Sequence, residues 1–297
     1  MERIAIMIAV KDRPTELCLL LESIRIQTYK DTDIFILNDG SGTPLFNYYF
    51  LVYCITRLQC EGHFVKILNN QFASGVSSAR QQLVNEVMKY DYKLLCRLDD
   101  DIILEPNYIE ELVKGISKGY DLMGGITTPY GAPENIRDIK FVEPIIGYCE
   151  FNKDGELTAN FDDCGHLYND KKIILAPHFR SCALYKRELH ENGVDYSNKL
   201  SRNGFREEQI FSFKAILKGF KLGVNTGAIN WHLLTPSGGE RDSMNMVEFN
   251  QGQFNTWCKE VYQEKGDFLQ DYYKRNNVEK KLEPDEYLKQ NNLITRK

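Results

Sequence analysis

Three aspartates stand in a row at Asp99-Asp100-Asp101, directly after the apolar run YKLLCRL at 92–98. Adjacent carboxylates repel one another, so the cluster costs stability unless a cation is close by. Hard oxygen donors of this kind suit Mg²⁺ or Mn²⁺, which bind through one or two carboxylates and complete their shell on substrate phosphates. The plain alternative is a solvated turn that caps a helix opening at Pro106. A second acidic turn, Asp39-Gly40-Ser41-Gly42, closes the run DIFILN at 33–38, although Asp-Gly is also an ordinary turn dipeptide. Further along, Glu207-Glu208 opens a helical pattern after Gly204. A carboxylate placed there can act as a general base, or it can simply stabilise the positive end of a helix. His232 closes Asn230-Trp231-His232. Its imidazole is a workable Mn²⁺ ligand, and a lone histidine is also commonly structural.

The elements that carry these residues follow from hydrophobic periodicity. Residues 3–10 (RIAIMIAV) form a continuous apolar run, as in a strand covered on both faces. After the turn Lys11-Asp12-Arg13-Pro14, a helix with Leu17, Leu20, Leu21 and Ile24 on one side follows Thr15. Strands are expected at 33–38, 64–68, 92–98 and 121–127, and helices at 44–60, around Val76 to Val87, and from Pro106. Strands alternating with helices imply βαβ units and a mainly parallel sheet. Ligands bind beyond the carboxyl ends of such strands, so the loops at 11–14, 39–42, 69–75 and 99–101 should converge on one edge. After about residue 128 the alternation weakens. Short strand-like pieces are expected at 141–151 and 172–185, then a helix bearing Ile210, Phe213 and Leu217, and a strand at 221–225 leading to His232. A polar loop with Gly238-Gly239 spans 234–245. The last fifty residues read as helical, and their aromatic residues Trp257, Tyr262, Tyr272 and Tyr273 as packing or sugar-stacking groups.

Bulk properties remove other classes. The chain has 297 residues, 42% of them hydrophobic, with 17 Tyr and 16 Phe, enough for a substantial core. A formal net charge of -5 without a basic stripe argues against duplex DNA or RNA as a partner. Eight cysteines without a CxxC pair read as reduced, buried thiols of a cytoplasmic protein rather than a disulfide or zinc framework. The start, Met1-Glu2-Arg3-Ile4, runs directly into a strand without a signal sequence, and no apolar run is long enough for a bilayer, which leaves peripheral membrane contact open.

Taken in order, IAIMIAVKDR, SIRIQTY, FILNDGSG, ASGVSSAR and LLCRLDDDI resemble the inverting glycosyltransferases of the GT-A fold, in particular family 2. The resemblance is strong over 3–128 and weaker over 172–232. It implies an α/β, Rossmann-like architecture: a mainly parallel central sheet flanked by helices, a mixed acceptor-side subregion and a helical C-terminal tail. Residues 1–128 would bind the nucleotide sugar, 129–245 would hold the acceptor and catalytic half, and 246–297 would be a helical extension.

The resemblance also implies roles. Asp39 would accept a hydrogen bond from the N3–H of uracil, and backbone near Ala9 would face the nucleoside. Asp99 would lie by the ribose or sugar, and Asp101 would hold the Mn²⁺ or Mg²⁺ ion that bridges the donor phosphates. Asp100 is the reserve ligand if the register slips by one. Lys11-Asp12-Arg13 stands where the family has an asparagine-like turn, and Lys11 and Arg13 join the donor-binding candidates. Arg80 is a donor contact or a helix-surface charge. Glu208 is the first candidate for the base and Glu207 the second, where relatives more often carry Glu-Asp. His232 would complete the metal site. Arg241, in the loop that could close over the donor, would reach the diphosphate. His178, Arg180 and Ser181 in APHFRSCALY fall where relatives shape the acceptor site.

An inverting transfer of hexosyl type, from a UDP-sugar to a saccharide, lipid-linked or protein hydroxyl, is the activity this implies. Two alternatives stand beside it. A sugar nucleotidyltransferase would need a Gly-rich phosphate loop after the first strand, where 11–14 has no glycine. A non-catalytic nucleotide-sugar binder would bind donor without turnover.

Overall fold

The structure, a computed structural model, describes residues 2–130, 149–157, 172–179, 182–196, 199–240 and 244–277. The sheet begins with β1 (Ile4–Val10), flanked by β2 (Thr32–Asp39) and β4 (Leu94–Leu98), with β3 (Val65–Asn70) outside β2; all these pairs are parallel. Both faces of β1 are buried, which accounts for its unbroken apolar run. Ala5 and Met7 point with Phe35, Leu37 and Leu95 into one core. Ile4, Ile6, Ile8 and Val10 point with Ile34 and Ile36 into the other.

Helices cover both faces. α1 (Pro14–Arg25) starts with proline in its first turn, where the missing N–H costs nothing. With α2 (Tyr49–Cys60) and α4 (Tyr108–Ser117) it covers the second core through Leu17, Leu20, Leu51, Leu58, Ile109 and Leu112. The first core is covered by α3 (Val76–Val87) and α6 (Glu207–Leu217), through Leu83, Val84, Phe213 and Ile216. Two C-terminal helices, α7 (Met244–Lys265) and α8 (Phe268–Arg275), add Phe254, Leu269 and Tyr272 to it. No helix among the described residues is long and apolar enough to cross a membrane.

The second half of the sheet departs from simple alternation. β6 (Leu122–Pro129) and β9 (Leu222–His232) are parallel to each other. Between β4 and β6 lies β8 (Ala183–Lys186), antiparallel to both. β7 (Ile173–Leu175) pairs antiparallel with the start of β9, and β5 (Ile102–Leu104) with its end. α5 (Glu188–Glu191) is a single turn after β8. The order is β3-β2-β1-β4-β8-β6-β9-β5, with β7 also on β9.

Several expectations change in detail. The expected strand across 172–185 is two strands with different partners. The strand at 221–225 runs on to His232, because β9 has neighbours along its whole length. β5 is three residues long, too short to show a period, and was not expected. α4 begins at Tyr108, two residues beyond Pro106, and α7 begins at Met244, inside the expected loop. Of the expected strand at 141–151, only the end lies within the described residues, where Phe151 bridges Leu157. Of the cysteines, Cys60 is exposed and Cys18 half-buried rather than buried, and Cys164 lies outside the described residues.

Candidate active site

The parallel register brings the carboxyl ends of β1, β2 and β4 level, with Val10 beside Asn38 and Ile8 beside Leu98. A cavity of about 360 Å³ opens there. β1 and its turn supply Ala9, Lys11 and Arg13, and β2 supplies Asp39. The turn after β4 supplies Asp99, Asp100 and Asp101, and α3 supplies Ala79 and Arg80. From the second half of the chain come Glu208, His232 and the loop residues Thr235, Gly239 and Glu240. The convergence expected from strand-end loops is therefore present.

Asp39 is buried and clamps the loop that leads into α3. Its Oδ1 accepts hydrogen bonds from the Asn70 amide, the Ser74 backbone N–H and the Ser74 hydroxyl, each at 2.8 Å, and its Oδ2 accepts one from Gly75 N at 3.0 Å. Next to it Gly40 has φ 73°, and a Cβ there would lie 2.4 Å from Ala73 N, so only glycine fits. Asp39 thus shapes the cavity wall as well as lining it.

Each member of the acidic triplet has a cationic neighbour within the protein. Arg80 Nη2 donates to Asp99 Oδ1 at 2.7 Å. Arg13 Nη1 lies 2.8 Å from Asp100 Oδ1 and 2.9 Å from Asp101 Oδ2. His232 Nε2 lies 3.2 Å from Asp101 Oδ1. Two arginines thus supply counter-charge to the triplet from within the protein. Burial lowers the Arg13 pKa, but Asp100 and Asp101 outweigh it and the net shift is upward. Burial pushes Asp100 up to about 7, against the pull of Arg13.

The meeting of Asp101 with His232 follows from β5. Ile102 pairs with His232, and Leu233 N donates to Asp101 O at 2.9 Å, which fixes the two side chains alongside. Among the described residues no group of three or more His, Cys, Asp or Glu side chains is arranged to hold a metal. Asp101 and His232 nevertheless offer a carboxylate and an imidazole side by side. That pair fits a Mn²⁺ or Mg²⁺ ion whose remaining ligands are phosphate and water oxygens.

The acidic pair of α6 divides. Arg206, at the N-cap, has φ 74°, a left-handed conformation that is costly for a non-glycine residue. Glu207 is 0% exposed, bonded to Arg80 Nη1 and, at 3.0 Å, to Arg97 Nη1. Burial pushes Glu207 up to about 7, opposed by Arg80 and Arg97. Glu208, with 28% of its side chain exposed, lines the cavity, its Oε1 3.6 Å from Arg80 Nη1. Glu207 does not line the cavity, so it is a poor candidate for the base; it holds Arg80 and Arg97 in place.

The loop at 234–240 packs on the turn after β1. Gly239 N donates to Lys11 O at 2.8 Å, and Arg13 Nε to Ser237 O at 3.1 Å. Glu240 Oε1 accepts from Lys11 Nζ at 2.8 Å and from Arg202 Nη2 at 3.0 Å. Gly238 has φ 70°, and a Cβ there would lie 2.5 Å from Arg13 Cγ.

Not every expected residue joins the site. His178 is 4% exposed, packs edge-on against Phe213 and does not line this cavity. Arg180, Ser181 and Arg241 lie outside the described residues. Arg97, Arg202 and Glu240 were missed. A lone arginine inside the buried strand LLCRL was a legible signal for Arg97; Arg202 and Glu240 sit in polar loops that carry no pattern.

The fold agrees with comparisons against known proteins. A family model described as Glycosyl transferase family 2 matches residues 5–193. No curated protein matches the sequence. Among solved structures, the crystal structure of S. aureus TarS 1-349 in complex with UDP-GlcNAc superposes with a TM-score of 0.54 at 11% identity, over 82% of this chain and 60% of that one. The UDP complex of S. aureus TarS 1-349 gives 0.52 at 11% identity, over 79% and 61%. A further S. aureus TarS structure gives 0.54 at 11% identity, over 79% of this chain and 37% of that one. At such identities the likeness shows the fold alone, and this chain spans less than two thirds of those chains.

Proposed function

The chain belongs to glycosyl transferase family 2, and we propose that it transfers a sugar from a UDP-linked donor to an acceptor hydroxyl with inversion, using Glu208 as general base. The observation that carries this reading is that one cavity gathers Ala9, Asp39, the acidic triplet, His232 and Glu208. Structural neighbours caught with UDP and UDP-GlcNAc support the choice of nucleotide.

The acceptor oxygen attacks the anomeric carbon as its proton passes to the Glu208 carboxylate, and the bond from that carbon to the diphosphate oxygen breaks, releasing the nucleotide. Inversion follows from a single in-line displacement. Lys11 and Arg13 at the cavity provide positive charge for the departing diphosphate. Asp101 and His232 are the residues that would hold Mn²⁺ or Mg²⁺; the ion, when bound, neutralises charge on the leaving group. Arg80, fixed by Glu207 and Asp99, borders Glu208 and sets where its carboxylate rests. The acceptor is a saccharide, a lipid-linked or a protein hydroxyl.

Donor hydrolysis across UDP-, GDP- and CDP-sugars, with and without Mn²⁺, tests the reading. Turnover is expected with a UDP-sugar. Glu208→Gln should bind donor within about twofold of wild type and lose roughly 100-fold or more in transfer rate. Full transfer by this variant would remove Glu208 as the base, and donor binding without any turnover by wild type would identify a binder instead.

A further inference from the structure

A second cleft lies on the other side of α3 from the donor cavity. Val76, Ala79 and Arg80 face the donor cavity, whereas Ser77, Ser78, Gln82 and Asn85 face a cleft of about 490 Å³ closed by Trp257 of α7. Those α3 positions recur at helical spacing, so they form one ladder of neutral hydroxyls and amides. The Trp257 indole lies at 18° to the Phe213 ring, centroids 6.4 Å apart, which fixes the plane of its ring. The Ser77 hydroxyl is buried, with 5% of the residue exposed, and has no hydrogen-bond partner among the described residues. The hydroxyl oxygen itself is closed off from solvent, so the hydrogen-bonding groups that α3 offers to the cleft are those of Ser78, Gln82 and Asn85. An ion pair, Lys214–Asp195 at 2.5 Å, contributes no net charge, leaving Lys199 as the remaining charged side chain of the cleft.

Neutral hydrogen-bonding groups beside a fixed aromatic face match the chemistry of a sugar ring, whose hydroxyls bond at its edge and whose C–H groups lie on its face. The cleft also communicates with the donor site. Gln82 Nε2 donates to Ser74 Oγ at 3.1 Å, and Ser74 Oγ donates to Asp39 Oδ1 at 2.8 Å. The segment 199–203 has Lys199 in the cleft and Asn203 in the donor cavity. We propose that this cleft binds a neutral oligosaccharide, as a distal subsite for a glycan acceptor. Saccharide binding stands on the cleft's own chemistry; its assignment to the acceptor rests on the glycosyltransferase reading.

Trp231 and Trp257 are the two tryptophans of the chain, so Trp231→Phe makes fluorescence a reporter of the cleft alone. Titration of this protein with maltotetraose and with N-acetylchitotetraose should give a saturable change with at least one of them. Adding Ser78→Phe, which fills the cleft from an intermediate surface position, should weaken binding tenfold or more and leave donor hydrolysis unchanged. Asn85→Phe, at an exposed position, is the second plug should the first fail to fold. No saturable change with either tetrasaccharide, or plugged variants that bind as well as their parent, would overturn the proposal. Saccharide binding in a protein that hydrolyses no donor would strike the glycosyltransferase reading and leave the cleft standing.

Discussion

Arg13 Nη1 reaches two carboxylates of the triplet at once, and with only 11% of its side chain exposed it does so in a largely dry setting. Removing one partner of a buried ion pair leaves an uncompensated charge, at a cost of about 3–5 kcal/mol. Arg13→Ala should lose stability on that scale in urea unfolding, and added Mn²⁺ should raise its melting temperature more than that of wild type. Equal responses would mean that no cation can take the place of the guanidinium. A second residue-scale test is set by His190, whose Nδ1–H donates to Val194 O at 2.6 Å. Burial lowers its pKa from 6.5 to about 4. The unfolded chain therefore takes up a proton that the folded one refuses, and this contribution to stability, complete above pH 6.5, is lost as pH falls towards 4. Between pH 7 and 4.5 wild type should lose about 2 kcal/mol more than His190→Phe; matching pH slopes would show that His190 accepts its proton in the fold.

At the scale of elements, the loop at 234–240 and the turn after β1 behave as one unit. Glu240 places a carboxylate between Lys11 and Arg202, where the negative charge of a donor diphosphate is expected to approach. It competes for Lys11 and also holds the loop down. Glu240→Gln keeps the shape and removes the charge, so UDP affinity measured by calorimetry should rise about threefold to tenfold, more at low salt. A fall in affinity would mean that holding the loop outweighs the competition. β5 shows how a minor element decides a site: three residues paired with the end of β9 bring Asp101 to His232 across about 130 positions of sequence.

Across the whole molecule, the C-terminal helices brace the second half of the sheet from behind. The Tyr272 hydroxyl donates to Leu222 O at 2.8 Å and accepts from Leu222 N at 3.0 Å, at the start of β9. Asn250 of α7 accepts from Ser201 N at 2.6 Å, on the segment that leads to α6. Tyr272→Phe leaves the Leu222 N–H unpaired in a buried place and should cost about 1–3 kcal/mol in chemical denaturation. UDP binding should be unaffected, since the cavity lined by Asp39, the triplet and His232 lies at the other end of the strands. A change in UDP affinity with unaltered stability would contradict this separation.

Local chemistry in the chain was enough to determine the strand-and-helix alternation of the first half, the convergence of its strand-end loops, and the candidacy of Asp39, the triplet, Glu208 and His232. The alternation and the convergence rest on apolar periodicity, and the candidate residues on their types at strand and helix ends together with the family resemblance, all of them legible along the chain. The tertiary structure alone decided which charge each carboxylate meets. Arg13 and Arg80 lie 87 and 19 residues from the aspartates they bond, and no local pattern carries such a pairing. It also decided which of two adjacent glutamates faces the cavity. The direction of a side chain at a helix start depends on the N-cap conformation of Arg206 and on Arg97 waiting in the sheet beneath. It placed β8 between β4 and β6 as well, because strand order is set by which edges remain to be covered, a property of the assembled sheet and not of any segment.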